Sequence, residues 1–180
     1  NLSLEEFVFK FSGPYWNKSV SVVIPFYDEQ ENIINCHKEQ KKIERLLNIS
    51  EFIYINNGSS DKTSHYLHDL SKEDKKIKVL DLDLNLGYGG GIKEGLKLSN
   101  SDFISIHVHL TNDTIGLISK ELIKIINPGA ILINTSRGGL LDEEALLDAL
   151  ESNNIAGAGL DVLDGEPYIS DHPLVKYSKN

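Results

Sequence analysis

Between residues 20 and 162 the chain alternates short apolar runs with turn-rich or helical stretches, and this rhythm limits the folds open to it. The apolar runs fall at 20–24, 52–55, 77–82, 103–110, 130–134 and 157–162. Each is short enough for a buried strand and is bounded by Gly, Pro, Asn, Asp or Ser. Helices are expected between them, at about 29–48, 63–70, 92–98, 114–126 and 142–152. Asp28 stands where a helix cap belongs, and Ile33, Ile34, Ile43, Leu46 and Leu47 would form the apolar face behind it. Strand and helix in strict alternation predict a parallel sheet covered on both faces.

Six strands suit a three-layer, doubly wound, Rossmann-like α/β sheet in the order 3-2-1-4-5-6. The run Phe103, Ile104, Ile106, Val108, Leu110 would then be the fourth strand, lying beside the first. Ligands of such sheets sit at that switch point, outside the carboxyl ends of the strands. Residues 1–18 form an apolar lead-in with Phe7, Phe9, Phe11, Tyr15 and Trp16 around Gly13-Pro14. No internal repeat or low-complexity linker interrupts the pattern.

Composition excludes several partners. A net charge of -9 and a pI near 5.1 argue against a general nucleic-acid binder or a patch for anionic lipid. No apolar run approaches the roughly 20 residues of a spanning helix, and no signal-peptide pattern opens the chain. The single Cys36 excludes an internal disulfide framework and fits a reducing cytoplasm. With no methionine anywhere and a chain ending at Asn180, a fragment or a processed or trimmed chain is expected.

Three ordered motifs occupy the first half. Val22-Val23-Ile24-Pro25-Phe26-Tyr27-Asp28-Glu29 precedes Glu31-Asn32-Ile33; Tyr54-Ile55-Asn56-Asn57-Gly58-Ser59-Ser60-Asp61 follows; Asn85-Leu86-Gly87-Tyr88-Gly89-Gly90-Gly91 comes third, with Gly95. Together they resemble the opening of family-2-type glycosyltransferases, over about residues 19–103. The resemblance implies a GT-A fold and a sugar-nucleotide site in which Pro25, Tyr27 and Glu29 line base and ribose, with Asn57 and Asp61 opposite. Asn56-Asn57 stands where that family often carries an acidic pair. Its metal-holding Asp-x-Asp motif is replaced by Ile106-His107-Val108-His109, so no divalent metal is expected. His107 and His109 lack a third ligand, and Asp81 and Asp83 read as turn residues rather than a metal pair. The glycine loop fails G-x-G-x-x-G because Ile92 stands at the third glycine, which leaves it a tight turn with close helix–strand packing.

The second half, about 104–180, carries different motifs. Ile106-His107-Val108-His109-Leu110-Thr111 with Thr114 comes first. Asn127-Pro128-Gly129-Ala130-Ile131-Leu132-Ile133-Asn134-Thr135-Ser136-Arg137-Gly138-Gly139 follows, then Asp142-Glu143-Glu144-Ala145-Leu146, Gly157-Ala158-Gly159-Leu160-Asp161-Val162, Glu166-Pro167 and His172-Pro173-Leu174. These resemble the NAD-binding domain of the D-isomer-specific 2-hydroxyacid dehydrogenases, phosphoglycerate dehydrogenase-like members in particular. The resemblance implies NAD as cofactor, with Thr135, Ser136, Arg137 and Asp161 in its site. Arg137 would hold the substrate carboxylate, as a bidentate guanidinium can, and Glu166 would pair with a catalytic histidine that lies beyond Asn180. The alternative for Arg137 is a strand-end cap or a pair with Asp142 or Glu143. His172 belongs to the His-Pro-Leu turn.

Three readings of function follow. The first is a nucleotide- or nucleotide-sugar-binding chimera that completes neither parent reaction. The second is an NAD-dependent D-2-hydroxyacid dehydrogenase fragment that needs residues beyond Asn180. The third is a recombined fold without catalysis, born of gene fusion, rearrangement or an assembly error.

Overall fold

A computed structural model describes residues 19–44, 49–167 and 170–177. The lead-in at 1–18 and the helix-face residues Leu46 and Leu47 lie outside the described residues. The elements are β1 (Val20–Phe26), α1 (Ile33–Glu44), β2 (Ile49–Asn57), α2 (Thr63–Glu73), β3 (Ile77–Leu82), α3 (Gly87–Leu96) and β4 (Phe103–Ile106). They continue with α4 (Lys120–Ile125), β5 (Ala130–Asn134), a 3-10 turn (Gly138–Leu140), α5 (Glu143–Glu151), β6 (Ile155–Leu160) and α6 (Pro173–Lys176). The class is α/β and every described strand pair is parallel. Among the described residues no helix is long and apolar enough to cross a membrane.

The strands form two three-stranded sheets, β1-β2-β3 and β4-β5-β6. The orders expected on either side of the switch point are therefore present, but the β1–β4 pair that would join them is not among the described pairs. The fourth strand also stops at Ile106 rather than running to Leu110. The chain divides into two compact units, the first ending at Asn85 and the second starting at Leu86.

In the first unit β2 is the central strand, and seven of its nine residues in a row, Glu51 to Asn57, are buried. Burial on both faces explains its unbroken apolar run, Phe52-Ile53-Tyr54-Ile55. Pro25 is tolerated because β1 is an edge strand here, where a missing N–H costs no ladder bond. One core gathers Phe26, Ile33, Phe52, Tyr54, Leu67, Leu70 and Ile77.

The first helix departs from expectation in two ways. It begins at Ile33 rather than near Glu29, and Asp28 does not cap it. Only Ile33 of its described isoleucines is buried; Ile34 and Ile43 are exposed. The face turned to the core is instead Ile33, Cys36 and His37, at the i, i+3, i+4 spacing of one helical side. The His37 ring meets Phe52 and Tyr54 edge-on, with centroids 6.0 Å away in each case. His37 Nδ1 and the Tyr54 hydroxyl share a 2.9 Å hydrogen bond.

In the second unit the core collects Ile92, Ile106, Leu117, Ile118, Leu122, Leu132, Leu140, Leu146 and Ile155. The expected helix at 114–126 is shortened to α4. Residues 116–118 instead run beside 139–142, with Gly116 N–H donating to Gly139 O (2.9 Å) and Ile118 N–H to Leu140 O (2.9 Å). Ser119 then caps α4, and Asp142 caps α5 by accepting from Ala145 N–H at 2.9 Å.

Burial pushes the His37 ring below its ordinary pKa, against the pull of the Asp74 carboxylate. Below about pH 6.5 the unfolded chain therefore takes up its His37 proton before the folded one does, and stability falls as pH drops. The melting temperature of wild type should decline through that window toward the lower folded value, and His37→Gln should flatten this part of the curve. Identical pH slopes for the two proteins would contradict the assignment.

Candidate functional site

The sugar-nucleotide residues expected in the first half lie at the carboxyl ends of β1 and β2. Pro25 is within β1, in register with Ile55, and Tyr27 is exposed just past the strand. Asn57 is buried, and its amide donates to Asn85 Oδ1 at 3.0 Å. The loop after β1 and the loop after β2 are stitched to each other. The Asp28 carboxylate accepts from Ser60 N–H (2.8 Å), Asp61 N–H (3.3 Å) and the Ser60 hydroxyl (3.3 Å). In return Ser59 Oγ accepts from Asp28 N–H (3.1 Å), and Thr63 Oγ1 from Glu29 N–H (2.9 Å).

Asp61 belongs to this seam. Its two oxygens accept from Gln30 N–H (3.2 Å) and Thr63 N–H (2.8 Å). Burial alone would raise its carboxyl, but these bonds hold it below the ordinary aspartate value. Gln30 Oε1 in turn accepts from Lys62 N–H at 3.1 Å, and the Glu29 carboxylate accepts from the Asn32 amide. Asp28 and Gln30, which the sequence reading assigned no ligand role, carry as much of the loop geometry as the expected residues. The signal for Asp28 is its left-handed backbone, φ 51°, which aspartate tolerates better than most residues.

Asp81, read from sequence as a solvated turn residue, accepts from Asn56 Nδ2 (2.8 Å) and the Ser64 hydroxyl (2.7 Å) and meets His68 Nε2 at 2.6 Å. Against the upward push of burial, these contacts hold its carboxyl low. Among the described residues no group of three or more His, Cys, Asp and Glu is placed to hold a metal ion. His107 Nε2 lies 2.8 Å from the Ser105 hydroxyl.

In the second unit the expected residues gather at the carboxyl ends of β5 and β6. Asn134, fully buried, ends β5 and shapes the turn that carries Thr135, Ser136 and Arg137. Its Oδ1 accepts from Ser136 N–H (3.0 Å), its Nδ2 donates to Arg137 O (2.9 Å), and its carbonyl accepts from Asp161 N–H (3.0 Å). The Ser136 hydroxyl reaches across to Ile106 O at 2.8 Å, which ties the turn to β4. Thr135 and Arg137 are exposed; the Arg137 guanidinium donates to Ser136 O (2.7 Å). Glu143 pairs with His172 (2.8 Å) rather than with Arg137.

The turn packs hard on the next loop. A Cβ on Gly138 would stand 2.2 Å from Asp164 N and from the Leu163 carbonyl carbon, so only glycine fits. Within that loop Glu166 accepts from Leu163 N–H at 2.8 Å. The structure thus brings Ser136, Arg137, Asp161 and Glu166 onto two loops in direct contact. A groove of about 560 Å³ lies elsewhere on this unit, lined by Lys120, Ile123, Lys124, Asp148, Ala149 and Ser152, and none of the expected site residues borders it.

Residues 21–107 match the family described as glycosyl transferase family 2, and residues 95–180 match the D-isomer specific 2-hydroxyacid dehydrogenase NAD binding domain. The two halves of the chain resemble two different families. The matches overlap at residues 95–107, which include β4. The glyoxylate reductase of Thermococcus litoralis is 53% identical over 74 residues, covering 41% of this chain and 22% of that protein. The D-3-phosphoglycerate dehydrogenase of Bacillus subtilis is 49% identical over 82 residues, covering 43% and 16%. The chain thus spans about a fifth of the length of these curated relatives.

Solved structures show a similar fold. A D-isomer specific 2-hydroxyacid dehydrogenase from Xanthobacter autotrophicus Py2, in complex with NADPH and MES, matches with a TM-score of 0.54 at 22% identity, over 88% of this chain and 41% of its own. The NAD-dependent formate dehydrogenase of Staphylococcus aureus, in complex with NAD, matches at 0.53 and 21% identity, over 91% and 40%. At such identity the likeness concerns the Rossmann-like fold.

Two substitutions check the loop geometry. Gly138→Ala in the dehydrogenase-like half should destabilise its unit by about 1–3 kcal/mol or more, the usual cost of forcing atoms into a filled site, read as a lower denaturant midpoint. Asp28→Ala in the glycosyltransferase-like half should cost about 0.5–1.5 kcal/mol, the net worth of a hydrogen bond whose donors water can reach. An Asp28→Ala protein with an unchanged midpoint would show that the two loops hold each other without it.

Proposed function

We propose that this chain binds a nucleotide and completes neither reaction of the two families that its halves resemble. In this reading residues 19–103 form a glycosyltransferase-like half and residues 104–180 a half of a D-2-hydroxyacid dehydrogenase NAD site, joined through β4. The observation that carries it is the contact between the Ser136–Arg137 turn and the loop bearing Asp161 and Glu166, fixed by Asn134 and Gly138.

The residues present fit one end of a dinucleotide. Exposed Arg137 offers a guanidinium to an anionic group, and the exposed Asp161 carboxylate can accept from an amide such as a nicotinamide carboxamide. They do not supply a phosphate cradle. Such cradles use glycines so that ligand phosphates can approach the backbone at a helix N-terminus. Here the glycines at the start of α3 face protein instead: a Cβ on Gly89 would meet Asp113 O at 2.1 Å, and one on Gly87 would meet the Asp113 carboxylate at 3.3 Å. A carboxylate beside that helix start opposes phosphate. The relatives' names, glyoxylate reductase and D-3-phosphoglycerate dehydrogenase, support a nicotinamide nucleotide as the ligand class. Hydride transfer would be the chemistry of that cofactor, with Glu166 as partner to a histidine outside residues 1–180.

The sugar-nucleotide reading of the first half is the second one, because Pro25, Tyr27 and Glu29 stand at strand ends as a base site requires. Asp61 counts against it, since both its oxygens serve the loop seam. A small-molecule nucleotide is the partner in either reading. The half-buried lone Cys36 suits a reducing cytoplasm.

Thermal unfolding with saturating NAD, NADH, UDP, and UDP plus manganese discriminates the readings. A ligand at 100 times its dissociation constant adds about 2.7 kcal/mol, a shift of several degrees for a chain this size. A shift with NAD or NADH is expected. A shift with UDP alone would move the site to the glycosyltransferase-like half, and a cooperative melt unmoved by all four would overturn nucleotide binding.

A further inference from the structure

The dehydrogenase-like unit contains a paired acid and imidazole, Glu143 and His172, beside the loop that carries Asp161 and Glu166. Glu143 opens α5, one residue after the capping Asp142, and its side chain is 10% exposed. Its two oxygens hold two different segments. Oε1 accepts from Asp164 N–H at 2.9 Å, and Oε2 pairs with His172 Nε2 at 2.8 Å. His172, 19% exposed, uses its other nitrogen, Nδ1, to accept from Leu174 N–H at 3.2 Å, which caps α6. With Nδ1 accepting, the ring proton sits on Nε2 and is donated to Glu143.

Two contacts meet at the backbone of Asp164. Its N–H is the atom against which Gly138 packs, and it lies between Asp161 and Glu166 on one loop. The loop is held at its start by Asn134 O, internally by Glu166 on Leu163 N–H, and at its middle by Glu143. Of these anchors Glu143 is the one whose other oxygen grips the segment after the loop, through His172. A nearly buried carboxylate with both oxygens so occupied fixes what it touches, since leaving either contact unmade is costly.

We propose that Glu143, braced by His172, is a positioning residue that sets the 161–166 loop, and with it Asp161, for the nicotinamide end of a bound dinucleotide. The proposal rests on the dinucleotide reading above. It assigns Glu143 no contact with the ligand.

The test uses the full chain as wild type, Glu143→Ala, Glu143→Gln and, as a control for charge at the start of α5, Glu144→Ala. Amide hydrogen exchange is read at Asp164 and, for comparison, at Leu132 in β5. Affinities are measured for NADH and for ADP-ribose, which lacks the nicotinamide. In Glu143→Ala the Asp164 amide should exchange at least about tenfold faster while Leu132 is unchanged. NADH should bind about tenfold more weakly and ADP-ribose as before, the loss expected of one charge-assisted hydrogen bond acting at one end of the ligand. Glu143→Gln keeps an oxygen for Asp164 N–H and should recover part of both effects, and Glu144→Ala should match wild type.

Equal exchange and equal NADH affinity in wild type and Glu143→Ala would overturn the proposal. So would a parallel loss of ADP-ribose and NADH, which marks a general structural role. If Glu143→Ala has no cooperative melt, Glu143→Gln is read in the same assays, and wild-type behaviour there would overturn the proposal. Wild type that fails to bind NADH would instead sink the cofactor reading, and the exchange at Asp164 would still decide whether Glu143 sets the loop.

Discussion

Both sheets end their central strands in buried asparagine, and the loops that carry the expected chemistry hang from those amides. Past the last ladder pair the turn's N–H and C=O groups lose their strand partners, and the asparagine side chains supply new ones. A carboxylate can only accept; an amide accepts and donates. Asn134 uses both capacities, on Ser136 N–H and Arg137 O. Asn56 does the same at the end of β2, accepting from Ser59 N–H at 3.1 Å and donating to Asp81. An aspartate at position 56 would set two carboxylates within hydrogen-bond distance, because Asp81 stands where the amide donates. The departure from an acidic pair at Asn56-Asn57 is therefore consistent with the neighbours this chain has, whatever it does to base recognition.

The local pattern was legible in sequence because it rests on local causes. Strand positions followed from short apolar runs between turn residues, and β3 and β5 have the bounds expected of them, at 77–82 and 130–134. The cap at Asp142 is a short-range effect of the same kind. The first helix was misjudged because its start is set from a distance. Asp28 and Gln30 bond to residues about thirty positions later, at 60–62, and the chain passes from there through a single turn on Glu29 O before the helix proper begins at Ile33. The same blindness hid the run at 116–118, whose partners lie at 139–142. Strand pairing across the switch point is a non-local property too. The alternation of elements dictates a parallel α/β class and says nothing about whether β1 finds β4.

The candidate site shows the same division. Motifs pointed to Ser136, Arg137, Asp161 and Glu166, each in a contiguous signature, and the structure sets these residues on two neighbouring loops after β5 and β6. What holds those signatures in register was not visible: the amide of Asn134, the bare backbone of Gly138 against Asp164, and the two-sided grip of Glu143. The Asn134 amide acts within its own turn, and the other contacts join segments 21 to 30 positions apart, such as Ser136 with Ile106 and Glu143 with Asp164. Residue types alone give no hint of such contacts: in sequence Glu143 belongs to the motif at 142–146 and offers itself as a partner for Arg137, not for His172 and Asp164.

The glycine run expected as a loop at 85–91 is helical from Gly87 onward and forms the first turns of α3, so the motif changes both form and use. By motif it belongs with the first half, yet it lies in the second compact unit, where Ile92 of the same helix joins the core. Its glycines let backbone approach backbone: Gly89 lies against the Asp113 carbonyl and the Thr114 methyl group. Thr114 is fully buried, and its hydroxyl is engaged with His109 O at 2.7 Å and with Thr111 N–H at 2.7 Å, so that surface has little room to retreat. A phosphate needs the same bare backbone that Asp113 already covers, and it needs positive potential where Asp113 places a negative charge. Glycine richness and a helix start are thus not enough to make a phosphate site. The face must be open and free of acid, and on both counts the geometry at Gly87 and Gly89 favours packing over binding.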